Sequence, residues 1–253
     1  MSRKKARKLG PLAVLGVVRE LRRGHGDRRP LGVAGAGELV HVLARELRAG
    51  GDASAVVEGR TTDVAVLVWV GAPDEEALRD ADTAGVPIVA VGENETLPYV
   101  LATDVVLVPR GEGFPLDRIA AAVARRLGED GTALAARLPV VREAVCAELI
   151  RSAARRNGLI GAAVFVPGVD FPALTLNQIR LVLRLALAHG RELDNRVVPE
   201  LLGVVGAGLG LRAVAREALD LVPVAGWALK GAVAYTGTKA IGEAALRYLA
   251  ATT

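Results

Sequence analysis

From Pro30 to about Gly128, short valine-rich runs alternate with longer segments whose apolar residues recur every three or four positions. Continuous apolar runs suit strands buried on both faces, the condition of a parallel sheet covered by helices. Five such runs predict strands at Leu31–Ala34, Ala53–Val57, Val64–Val70, Pro87–Val91 and Asp104–Val108. Between them, Leu39, Leu43 and Leu47 form one helical stripe, and Ile119, Val123 and Leu127 form another that starts after Pro115 and stops at Gly128. A further helix opens after Pro73 with Asp74, Glu75 and Glu76, acids that suit the positive end of a helix dipole, and closes at Gly85.

Beyond Gly131 the period becomes helical, with Leu138, Val141, Val145 and Leu149 on one face and Pro139 at the start. Two Val-Pro corners, Val166 to Phe171 and Val222 to Trp227, each place an aromatic four residues after the proline and suggest a duplicated helical hairpin. The segment Leu174 to His189 is apolar on most sides, with a narrow polar stripe of Asn177, Arg180 and Arg184, so it belongs in an interior or an interface. Lys239, Glu243 and Arg247 form a charged stripe on the last helix. The expected fold is therefore α/β: a parallel-sheet, P-loop-GTPase-like (Rossmann-like) domain over residues 30–130, then an all-α helical-hairpin domain over 138–250.

Charge adds a third region. Residues 1–29 hold ten Lys/Arg against Glu20 and Asp27, a net +8 in a chain whose total is +4. Two cationic clusters flank a short apolar stretch, and arginines stand where a secretory signal would have its cleavage site, so the segment reads as retained. This basic arm offers an anionic membrane surface about 1 kcal/mol per cation; the alternative is a solvated tail. Nucleic acid is disfavoured because no aromatic platform accompanies the charges. The longest uncharged run, Asn157 to Val169, contains a proline corner and is shorter than the roughly 18 apolar residues of a span. The expected location is cytoplasmic and peripheral, at the inner face of the cell membrane. A protein partner or self-association would use the helical domain.

Candidate chemistry concentrates beyond the carboxyl ends of the strands, where open α/β sheets bind ligands: Gly35–Glu38, Gly71–Asp74, Gly92–Glu95 and Pro109–Gly113. In GVAGAGEL, Gly32 and Gly37 match the outer glycines of GxxxxGK[ST], but Glu38 stands for the lysine and Leu39 for the Ser/Thr. Backbone N–H groups at a helix start offer an anion roughly 0.3 to 2 kcal/mol. A carboxylate about 4 Å from a phosphate charge costs on the order of 4 kcal/mol at an effective dielectric of 20. Gly32, Gly35, Gly37 and Glu38 thus mark a vestigial phosphate loop. As a dinucleotide fingerprint the loop also fails, since Gly35 and Gly37 are followed by Val40.

No catalytic residue, cofactor or metal site is expected. His25, His41 and His189 lack ligand spacing, and the lone Cys146 reads as a small core residue. Glu38 and His41 read as a surface pair, Trp69 and Trp227 as packing residues, and Thr236 and Thr238 have no evident partner.

The stretch DVAVLVWVGAPDEEALRDADTAGVPIVAVGENE, from Asp63, resembles the later half of a translation-factor-related small GTPase domain. Gly92, Glu93, Asn94 and Glu95 occupy the place of that family's base-reading Asn-Lys-x-Asp, and Pro109 and Arg110 the place of its Ser-Ala. No Asp-x-x-Gly switch follows the second strand. From Leu138 to Leu249, LPVVREAVCAELIRSAARRNGLIG, FVPGVDFPALTLNQIRLVLRLA and LVPVAGWALKGAVAYTGTKAIGEAALRYL resemble the YcjF-type helical domain family of unknown function, which follows GTPase domains in bacterial, often membrane-associated, proteins. Together the resemblances imply a non-catalytic pseudo-GTPase acting as a scaffold or interaction protein at a membrane. The alternatives are a nucleotide-binding switch or slow GTPase with an atypical loop, and a Rossmann-like receptor for a small ligand.

Overall fold

A computed structural model describes residues 11–24, 28–109, 111–163, 171–194, 196–203, 206 and 226–252. Its contacts form two units, His25–Glu148 and Met1–Gly24 with Leu149–Thr253. The chain opens with helix α1 (Pro11–Gly24), which belongs to the second unit.

The first unit is an α/β, Rossmann-like domain. Strands β1 (Leu31–Gly35), β2 (Val56–Glu58), β3 (Val66–Val70), β4 (Ile88–Gly92) and β5 (Val105–Leu107) are all parallel, in the order β2-β1-β3-β4-β5. Helices α2 (Gly37–Arg48) and α4 (Leu116–Leu127) cover one face. There Leu43, Leu47, Ile119 and Val123 are buried with Val33, Val68 and Val89. Helix α5 (Thr132–Arg137) and the start of α6 (Pro139–Ala163) add Leu134, Leu138 and Val141 to the same core. Helix α3 (Glu75–Thr83) covers the other face, with Leu78 and Ala81 against Leu67, Trp69 and Ile88. From β1 the chain moves outward to β2 and then crosses to β3, so the strand order reverses between β1 and β3. Sheets of this kind open a crevice at that reversal, beyond the carboxyl ends of the strands.

The strands are shorter than the apolar runs, for local reasons. Ala53–Ala55 forms a 3-10 turn, because the Asp52 carboxylate accepts the Ser54 N–H at 2.9 Å and holds the backbone out of β2. Pro87 has no N–H to give the ladder, so β4 begins at Ile88 while the Pro87 carbonyl accepts from Leu67. Asp104 precedes β5, and its buried carboxylate lies 3.3 Å from the Arg126 guanidinium of α4.

The helical unit contains α1, the later part of α6, α7 (Phe171–Ala188), helical residues 197–203 and α8 (Gly226–Ala251). Residues 11–24 of the expected basic arm are a helix with a committed face. Val17, Val18 and Leu21 are buried, Glu20 pairs with Arg180 of α7 at 3.0 Å, and Arg22 donates to the Leu193 carbonyl. Thr238 acquires partners as well: Asn157 donates to its hydroxyl at 2.8 Å and Gln178 at 3.2 Å. Residues 1–10, His25, and Val166–Asp170 and Val222–Ala225 of the two corners lie outside the described residues. No described helix is long and apolar enough to cross a membrane.

Candidate functional site

The turn from β1 to α2 is built by its glycines. Gly35 ends β1 at φ +123°, and a Cβ there would lie 2.1 Å from the Val70 carbonyl oxygen, so only glycine fits. Ala36 alone separates β1 from α2, and its N–H donates to that carbonyl at 2.9 Å. Gly32 lies within β1, in register with Val57 and Leu67. A Cβ on it would meet the Arg60 carbonyl at 2.6 Å, so sheet packing accounts for this glycine. Gly37 opens α2, and Glu38 is exposed in its first turn. Of the four residues marked as a vestigial phosphate loop, Gly32 and Gly35 are therefore in β1 and Gly37 and Glu38 in α2, with the one-residue corner between them.

Neighbouring strand ends are tied in the same way. Gly71 donates to the Val91 carbonyl and Val108 to the Gly92 carbonyl, each at 2.9 Å, and the Trp69 indole N–H donates to the Ala72 carbonyl at 2.9 Å. The two backbone bonds continue the ladder past the strands, and the indole bond ties the loop after β3.

Above them lies a cavity of about 640 Å³. Its lining takes in all four of the loops singled out by the strand-end rule, through Ala36, Gly71 and Ala72, Gly92 to Asn94, and Pro109 with Gly111 to Gly113. Val70, Val91 and Val108, from the sheet face covered by α2 and α4, contribute apolar surface beneath. Leu39, Val42 and Glu46, at i, i+3 and i+7 on one flank of α2, form a wall opposite Phe114. Gly32, Gly35, Gly37 and Glu38 are not in the lining.

The chain matches no family model, curated protein or solved structure.

The described lining carries carboxylates, at Glu46, Glu93 and Glu112, and the Asn94 amide, but no hydroxyl, thiol, imidazole or ammonium. It can bind and orient through apolar contact and negative charge, without offering a nucleophile paired to a base. The sequence pattern places Leu39 in the core stripe of α2, and the structure does not. Val40, Leu43, Ala44 and Leu47 are the buried set, and Leu39 is 46% exposed at the cavity. Val42, Glu46 and Phe114 carried no local signal, since nothing in their own segments shows that α2 and the loop before α4 leave space between them.

The remaining candidates lie elsewhere. His41 Nδ1 bonds the Glu58 carboxylate, whose other oxygen accepts from Arg48 at 2.6 Å, so His41 joins α2 to β2 and is not paired with Glu38. The Arg48 guanidinium, then His41, holds the Glu58 carboxyl below its usual range. Burial pushes the Cys146 thiol up to about 12, which leaves no thiolate for nucleophilic work at neutral pH. Asp74 accepts from the N–H groups of Glu76 and Ala77 and caps α3. Among the described residues no cluster of His, Cys, Asp and Glu could hold a metal ion.

Proposed function

We propose that this protein is a non-catalytic interaction protein, with a GTPase-like α/β unit whose phosphate site has been lost and a YcjF-type helical unit, held peripherally at an anionic membrane. The observation that carries the reading is the corner between β1 and α2. A phosphate cradle needs several consecutive backbone N–H groups wrapped around the anion. Here one residue makes the turn, Gly32 is committed to the sheet, and Glu38 brings a negative charge to the start of α2. Calorimetric titration of the purified chain with GTP, GDP and ATP, with and without magnesium, should give no heat of binding. Micromolar affinity for any of them would replace this reading with a nucleotide-binding switch.

The membrane part rests on α1. Its buried face is spent on the helical unit, yet Leu12 is 82% and Leu15 52% exposed on the side that also carries Arg19. Arg3, Lys4, Lys5, Arg7 and Lys8 precede them in the sequence. Exposed leucines beside a run of cations suit the headgroup boundary of an anionic bilayer. Flotation with vesicles of phosphatidylcholine and phosphatidylserine should recover the intact chain and lose the chain lacking residues 1–10. Equal recovery of both would remove the basic segment from the mechanism.

A further inference from the structure

We propose that the crevice between α2 and the loop leading into α4 is a receptor site for a small organic cation with an apolar body, of the size of an arylalkylamine. The inference rests on the reading of the α/β unit as a domain without a phosphate site.

Shape gives the size of the guest. A cavity of about 640 Å³ holds one small molecule, within the range of roughly 300 to 1,000 Å³ usual for such sites. Val70, Val91 and Val108 lie under it, and Leu39, Val42 and Phe114 wall it, so the body of the guest meets apolar surface. The bonds from Ala36 to Val70, Gly71 to Val91, Val108 to Gly92 and Trp69 to Ala72 set the strand-end loops before anything binds. A preformed site spends little of its affinity on ordering.

Charge gives the sign of the guest. The N-termini of α2 and α4 each bring about half a positive charge toward this end of the sheet. Glu38 opposes the first, while in the first turn of α4 Asp117 is balanced by Arg118, whose guanidinium donates to the Leu107 carbonyl. The lining itself adds Glu46, Glu93 and Glu112. The sequence places one cation, Arg110, in the same loop as Glu112. Glu46 and Glu112 carry the negative surplus of the lining, so phosphates and carboxylates are repelled and an ammonium group is drawn to the rim. Phe114 adds an aromatic ring to the wall, a surface that also favours a cation.

Two probes of like shape and opposite charge, tryptamine and indole-3-acetate, test the proposal. They are titrated into the full chain with 13C-labelled valine methyls and followed by NMR. The expected result is saturable movement of the Val70, Val91 and Val108 methyls, with tryptamine binding at least about tenfold more tightly at roughly 20 mM salt and the gap narrowing at roughly 500 mM. The double substitution Glu46→Gln and Glu112→Gln should erase most of the preference while indole binding survives, and Val42→Trp should block both probes by filling the wall. Equal affinities for the two indoles, movement of other methyls, or no saturable binding would each overturn the proposal. A parallel GTP titration separates the two readings: micromolar GTP binding defeats the non-catalytic function, whereas the ratio of the two indoles alone decides the amine site.

Discussion

The two units put their buried polar groups to different uses. In the α/β unit the strand ladders satisfy the backbone, and both sheet faces are filled by valine, leucine and isoleucine. The buried Asp104 sits at the margin, paired with Arg126. In the helical unit polar side chains meet in the interior. Asn157 of α6 donates to Thr238 of α8, Asn177 of α7 donates to the Asn157 amide oxygen at 2.9 Å, Gln178 of α7 donates to Thr238, and the Thr238 hydroxyl donates to the Ala234 carbonyl at 2.7 Å. Asn157, Gln178 and Thr238 are fully buried. A sheet carries its own register in its hydrogen bonds, whereas a helix such as α7, apolar on most sides, can seat in several rotations. Directional bonds among amides and a hydroxyl single out one of them.

This contrast can be broken experimentally. Its largest expected effect is in the apolar unit, where Leu43→Ala removes a fully buried side chain from α2 and should cost about 2 to 5 kcal/mol. Trp69 fluorescence in a Trp227→Phe background reports that unit, and the cost should appear there. In the helical unit, Asn157→Leu should cost about 1 to 3 kcal/mol, because Asn177 and Thr238 lose their partner. Combined with Thr238→Val, the total should fall short of the sum by about 0.5 kcal/mol or more. Strict additivity, or a neutral Asn157→Leu, would mean that the buried polar groups do not act together.

The smallest effect belongs to an exposed link in the α/β unit. Hydrogen bonds from the Ser54 hydroxyl, Arg137 and the Ser54 N–H lower the Asp52 carboxyl from 3.8 to about 2. The folded state therefore binds this proton less readily than the unfolded state. Its contribution to stability is complete above pH 3.8 and disappears as the pH falls toward 2. Replacing Arg137 with glutamine should lower Tm slightly at every pH above 3.8 and leave it nearly unchanged toward pH 2, which flattens the acid limb of the Tm–pH curve. An unaltered acid limb would show that this link is irrelevant to acid unfolding.

The sheet was legible in the sequence because its cause is local: valine runs suit strands buried on both faces, Pro115 and Pro139 mark helix starts, and Gly85 and Gly128 adopt the positive φ that ends helices. The positions of the four strand-end loops followed from topology alone. What stayed hidden depends on distant partners. Glu20 and Arg180 meet across 160 positions, and Asn157 and Thr238 across 81, so neither the buried face of α1 nor the role of Thr238 can be seen within its own segment. Leu39 shows the same limit on a smaller scale, since only the space left between α2 and the loop before α4 separates a core leucine from a wall of the crevice.

The single-residue corner at Ala36 also bears on how this chain could be re-engineered. Writing lysine at position 38 and serine at position 39 would complete the letters of the nucleotide signature and still leave no ring of amides for them to serve. Recovering phosphate binding would take inserted backbone between Gly35 and Gly37, together with release of Gly32 from its ladder with Val57 and Leu67. Point mutation would thus have to be accompanied by a change in chain length, and the pair of substitutions without it should bind nucleotide no better than the parent chain.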